Sequence, residues 1–191
     1  MSKERAQEIR GYQSMIGILM YLMLGTRPDL AYAVGKLSRF SSNPAPEHFI
    51  TIQRVLDYIY ATRHFRLEYF RKSTEDRTLI YPIGMSDSDF AGDTSDRKST
   101  SGYVFVLGYG AISWYSKKQT TVATSTLEAE YTALFAASKK AVWIRQFLQQ
   151  IGVKDPPVIE VFCNNMGALA VAEGAESHFK SKHLDIQLHT I

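Results

Sequence analysis

Hydrophobic and polar positions follow two different periods along this chain, and the change falls near residue 65. Up to His64 the apolar residues recur at helical spacing, and two stretches, "GTRPDL" and "SSNPAPEHF", interrupt them. Pro28 and Pro46 fall near helix starts there, which predicts three helices near 11–24, 28–41 and 46–62. From Phe65 the period shortens toward two. "FRLEYF", "LIYPIGMSDSDFAGD" and "SGYVFVLGYGAISWYSKK" read as strands, with Gly108 and Gly110 placed as a hairpin turn requires, and "TTVAT" reads as a further strand. Ser125 and Glu128 then have capping-box spacing before a helix that runs to Gln150, where Gly152, Pro156 and Pro157 stop it. "VIEVFC" predicts one more strand, "MGALAVAE" a short helix and "FKSKHLDIQLHTI" a last helix. Helices first, then β, β, β, α, β, α, describe an α/β domain: an antiparallel meander joined by a crossover to a parallel neighbour.

Composition narrows the function classes only a little. A chain of 191 residues with 45% hydrophobic and 12% aromatic content has enough material for a sizeable core. A net charge of +3 does not mark a nucleic-acid binder by itself, so any such argument rests on local clusters. The single cysteine, Cys163, forms no internal disulfide; it suits a reducing compartment and reads as a core residue of its strand. The longest apolar run, Met15 to Leu24, is far short of a membrane span and follows no cleavable signal, so cytosol or nucleus is the expected location.

The candidate chemistry is carboxylate chemistry. Asp87 ends the first main strand, and alternation puts Asp87 and Asp89 on one side with Ser86 and Ser88 on the other. On the long helix Leu127, Tyr131, Leu134, Ala141 and Leu148 make the inward stripe. Glu130 lies inside it and Glu128 outside. A carboxylate on a buried face is paired or ligates a cation, because burying it unpaired costs several kcal/mol. Pairing with a neighbouring Lys or Arg is the plain reading; a divalent metal held by Asp87, Glu130 and a third group at the end of "VIEVFC" is the functional one. That third group is Asn164, beside Asn165: two amides where a charge is wanted.

Four segments carry a family resemblance: "YQSMIGILMYLMLGTRPDLAYAVGKLSRF", "SDSDFAGDTSDRKSTSGYVF", "GAISWYSKKQTTVATSTLEAEYTAL" and "SKHLDIQLH". Together they resemble the end of the Pol polyprotein of copia-type (Ty1/copia) retrotransposons, the last helices of reverse transcriptase followed by RNase H. The resemblance implies a small helical thumb-like connector over 1–76 and an RNase H-like mixed sheet flanked by helices over 77–191. It further implies that the last strand and helix of that fold lie beyond Ile191. The resemblance implies a site in which four carboxylates hold two Mg²⁺ ions, with Mn²⁺ as a substitute, and the RNA strand of an RNA:DNA hybrid is cut. The first matches Asp87. The second matches Glu130, in "EYTA". The third falls in a "CDN" segment, which reads "CNN" here, so Asn164 stands where Asp is expected; the fourth belongs to the further helix, with Asp185 of "KHLDI" a weak stand-in. His183 reads as a cap or packing residue. The resemblance therefore implies an impaired site.

Arg97, Lys98, Lys117 and Lys118 flank the hairpin, while Lys139, Lys140 and Arg145 lie on the long helix. They are candidates for phosphate contacts to a hybrid or another nucleic acid, or else ordinary solvated cations. Trp114 and Tyr115 are candidates for base stacking and Trp143 for the core. With the next strand of the fold lying beyond the chain, "VIEVFC" from Val158 onward is expected to be covered by a second copy, a partner chain, "FRLEYF" or the final helix. A protein-contacting remnant without catalysis, and an active fragment of a larger Pol protein, are the alternative functions.

Overall fold

A computed structural model describes residues 2–70 and 81–172. The chain divides between Leu67 and Glu68 into two compact units.

The first unit is helical. Helix α1 (Lys3–Gly25) starts earlier than the apolar pattern suggests because the Ser2 hydroxyl accepts from Arg5 N–H and caps it. A 3₁₀ turn (Pro28–Leu30) leads into α2 (Ala31–Ser38), and Pro46 opens α3 (Pro46–Ala61). Tyr12, Ile16 and Leu19 pack with Leu30, Val34 and Leu37 and with Ile52 and Val55. The buried Tyr12 hydroxyl donates to Leu37 O at 2.9 Å, so this core ring leaves no polar atom stranded. The "TRPDL" turn is pinned by Arg27, which forks onto Asp29 and donates to Thr62 Oγ1 at 2.6 Å.

The second unit carries a four-stranded mixed sheet in the order β3-β2-β1-β4. β1 (Ile83–Ser88) and β2 (Thr100–Leu107) are antiparallel, as are β2 and β3 (Gly110–Lys118); β4 (Val161–Cys163) pairs parallel with β1. The β2–β3 connection places both Gly108 and Tyr109 at positive φ, the two-residue geometry that matches strand twist. Helix α4 (Thr126–Gln150) crosses the sheet, and α5 (Met166–Ala172) follows β4. Phe105 meets Ala137, Ala141 and Ile144 of α4 in the core, with Ile159 beside them. Gly84 makes room for it: a Cβ there would sit 2.6 Å from the Phe105 ring. This is the mixed α/β sheet anticipated from the element order, and it is consistent with the RNase H-like fold that the resemblance implies.

Four expectations fail locally. "FRLEYF" forms no strand. Phe70 N–H donates to Gly108 O and the Tyr69 hydroxyl to Ala111 O, so its end is tied to the hairpin turn and does not cover β4. "TTVAT" is irregular, because Gln119 just before it has already turned toward α4. "VIEVFC" yields only three strand residues. Trp143 is not core: it lies off the stripe of Leu134, Ala137, Ala141 and Ile144 and is 52% exposed. The predicted final helix, with His183 and Asp185, falls outside the described residues. No described helix is long and apolar enough to cross a membrane.

Candidate metal centre

The Ser125 hydroxyl accepts from Glu128 N–H, and Glu128 reaches back to the N–H and hydroxyl of Thr124. Glu128 is thereby spent on the helix start, as the stripe implied. Glu130, in the next turn, is inward and 8% exposed. A residue missed by sequence reasoning fixes its height above the sheet. The Gln119 side chain, itself buried, donates to Ser101 Oγ at 2.9 Å and to Ala129 O at 3.0 Å, bracing α4 one residue before Glu130. No local pattern signals this, since the bond joins the end of one strand to a helix ten residues on.

Asp87, exposed near the end of β1, is brought within hydrogen-bonding reach of Glu130. Burial raises the Glu130 carboxyl to about 7; the Asp87 charge and its hydrogen bond add to this, and the Ser88 N–H opposes it. Among the described residues Glu130 Oε2 nevertheless has no hydrogen-bond partner and is buried. Among the described residues no Lys or Arg is paired with Glu130. Cys163 is partly buried close by; its thiol is pushed up by burial and by the Glu130 and Asp87 charges.

The parallel register ends with Ser86 paired to Cys163, so Asp87 follows that pair along β1 while Asn164 follows it in the bend after β4. Asn164 is exposed there. Asn165 serves the helix that follows, since its Oδ1 accepts from Ala168 N–H at 3.0 Å and caps α5. Asp89 is withdrawn from the site, because its Oδ1 accepts from Thr100 N–H at the start of β2. Among the described residues no three His, Cys, Asp or Glu side chains form a metal-holding group. An orphaned buried carboxylate oxygen beside a second carboxylate fits one hard divalent cation that keeps most of its waters, as Mg²⁺ does. It does not supply the negative charge wanted for two.

The cationic candidates separate. Lys118 Nζ lies 2.5 Å from Asp93 Oδ2 and 2.7 Å from Asp96 Oδ1, and holds both carboxyls below their usual range. Lys98 is 3.9 Å from Asp96. Arg97 and Lys117 are exposed. Lys139 Nζ is 4.4 Å from the Phe135 ring and Lys140 Nζ 3.7 Å from Trp143. Tyr115, a candidate for base stacking, stacks on Tyr103, with ring centres 5.0 Å apart.

No family model and no solved structure matches the chain. Curated relatives do. Over 94% of its length it is 40% identical to a retrovirus-related Pol polyprotein from transposon TNT 1-94 of Nicotiana tabacum. Over the same share it is 38% identical to one from transposon RE2 of Arabidopsis thaliana. It spans 13% and 12% of those polyproteins. Over 70% of its length it is 50% identical to secreted RxLR effector protein 161 of Plasmopara viticola, of which it covers 90%. Over nearly its whole length the chain is thus similar to a short stretch of retrovirus-related Pol polyproteins from transposons.

Proposed function

We propose that the second unit is an RNase H-type nuclease domain for RNA:DNA hybrids whose cleavage is held low by Asn164. The observation that carries this reading is the Asp87–Glu130 carboxyl pair, with an oxygen that is buried and unpartnered among the described residues, at the sheet end where Asn164 follows the Ser86–Cys163 pair. Asp87 and Glu130 are the side chains that would hold Mg²⁺ or Mn²⁺, with Asn164 offering a neutral oxygen. The bound ion would supply water activation and charge neutralisation at a phosphate. Glu130, braced through Gln119, presents its free oxygen in a fixed place, and Arg97 and Lys117 are the exposed cations available to the hybrid backbone. Lys98 and Lys118 are drawn toward acidic neighbours and contribute less.

The test is hybrid cleavage in Mg²⁺ and in Mn²⁺ by the chain, by Glu130→Gln and by Asn164→Asp. Poor cleavage by the chain and a gain in Asn164→Asp, beyond the ~10–100-fold that outer-shell partners of a metal site are worth, support the reading. Efficient cleavage by the chain, lost in Glu130→Gln, would show that Asn164 does not impair it. A second reading, a transposon-derived protein kept for contacts with another protein, draws on the Plasmopara viticola relative that the chain covers almost end to end. A second copy or partner strand at the edge of β4 belongs with it, since among the described residues no strand pairs with the outer side of β4 and Val158 is 77% exposed. No cleavage by any of the three proteins favours it.

A further inference from the structure

The outward face of α4 combines features that its role in the core does not use. Trp143 and Phe147 are 52% and 44% exposed and stack on each other, with ring centres 5.4 Å apart and planes 8° apart. Lys140 Nζ covers the Trp143 ring at 3.7 Å, and Lys139 lies over Phe135. Between Glu130 and Asp155 the sequence holds Lys139, Lys140, Arg145 and Lys154 and no acidic residue. Rings this exposed beside two lysines complement a ligand that is anionic and flat-faced at once.

We propose that this face binds single-stranded nucleic acid, with Trp143 as the stacking platform and Lys139 and Lys140 as phosphate contacts. A cation over an exposed ring is held weakly, and a base stacked on that ring is held more strongly. A phosphate therefore draws Lys140 off the indole, and the uncovered ring face receives the base. Burial already lowers the Lys140 pKa, so the ammonium gains from an anion at that position. A duplex keeps its base faces internally stacked and offers only its backbone, which is why a single strand fits this surface better. The surface is distinct from the Asp87–Glu130 pair and needs no metal.

The experiment uses the full chain in EDTA and a fluorescein-labelled oligothymidylate of about 20 nucleotides, a length that exceeds common single-strand site sizes. Trp143 emission is followed in a Trp114→Phe background, because the sequence contains two tryptophans. Binding should quench Trp143 and persist in Glu130→Gln. Affinity should fall about tenfold in Trp143→Leu, the loss of one stacked base, and comparably in Lys139→Glu/Lys140→Glu. Anisotropy of the label in the Trp114 chain decides the same question if Trp114→Phe weakens the fold. Equal affinity in Trp143→Leu, or binding without quenching, overturns the proposal. Equal quenching by a blunt duplex or by polyglutamate also overturns it, reassigning the surface to duplex or to an acidic protein. Because EDTA silences the metal pair, failure here leaves the nuclease reading untouched, and failure of cleavage leaves this surface untouched.

Discussion

The carboxyl groups of Asp87 and Glu130, one near the end of β1 and the other in the second turn of α4, lie close enough to share a hydrogen bond. Two carboxyls in contact cannot both stay charged cheaply without a cation between them.

Stability in EDTA should therefore fall as pH rises. The Glu130 carboxyl is raised from 4.5 to about 7, so the folded chain binds more protons than the unfolded chain between those values, and unfolding free energy declines across that window. The group's share of the decline is up to about 3 kcal/mol. Urea unfolding at pH 5 and pH 8 measures it. Glu130→Gln should flatten this part of the profile and be the more stable protein at pH 8; an unchanged slope would show that Glu130 titrates normally.

Gln119→Leu should destabilise the second unit by about 1–3 kcal/mol, because Ala129 O and Ser101 Oγ lose a donor in a buried place. It should also weaken Mn²⁺ binding by freeing the helix turn that carries Glu130. A variant that loses stability but binds Mn²⁺ as before would confine Gln119 to the fold.

Charge reversal at Lys117 should reduce hybrid binding and its salt dependence more than charge reversal at Lys118. Lys117 is exposed, whereas Lys118 is occupied by Asp93 and Asp96. Removing one phosphate-neutralising cation lowers the log–log salt slope by about 0.9 on B-form DNA. A salt titration of the two variants decides the order.

Gly110→Ala should release the strap at the hairpin. A Cβ there would run into the Tyr69 ring and sit 2.7 Å from Glu68 O. The amide of Phe70, bonded to Gly108 O, should then exchange faster, while exchange in the interior of α4 stays slow.

What is legible in the sequence is what local pattern dictates. The cap at Ser125 and the stripe through Leu134 and Ala141 place Glu130 inward from the residue pattern alone, and Gly108 marks the hairpin. The amide at Asn164 is visible as a break in a motif, although Asn165 beside it proves to be a helix cap. Long-range partners decide the rest. Asp89 shares Asp87's strand parity but is captured by Thr100. Lys118 is indistinguishable from its neighbour Lys117 in sequence until Asp93 folds against it. Residue type suggests Trp143 for the core, whereas its angular position on α4 leaves it outside. Val158 and Ile159 are apolar enough for a strand, yet pairing with β1 begins only at Glu160, whose O accepts from Gly84 N–H.

The most direct test of the account is a calorimetric Mn²⁺ titration of the chain, Glu130→Gln and Asn164→Asp at about pH 7.5, just above the Glu130 value, where metal ligands are deprotonated. The account predicts weak binding of one ion by the chain, its loss in Glu130→Gln, and tighter binding or a second ion in Asn164→Asp. Binding by Glu130→Gln equal to that of the chain, or no gain in Asn164→Asp, would contradict it.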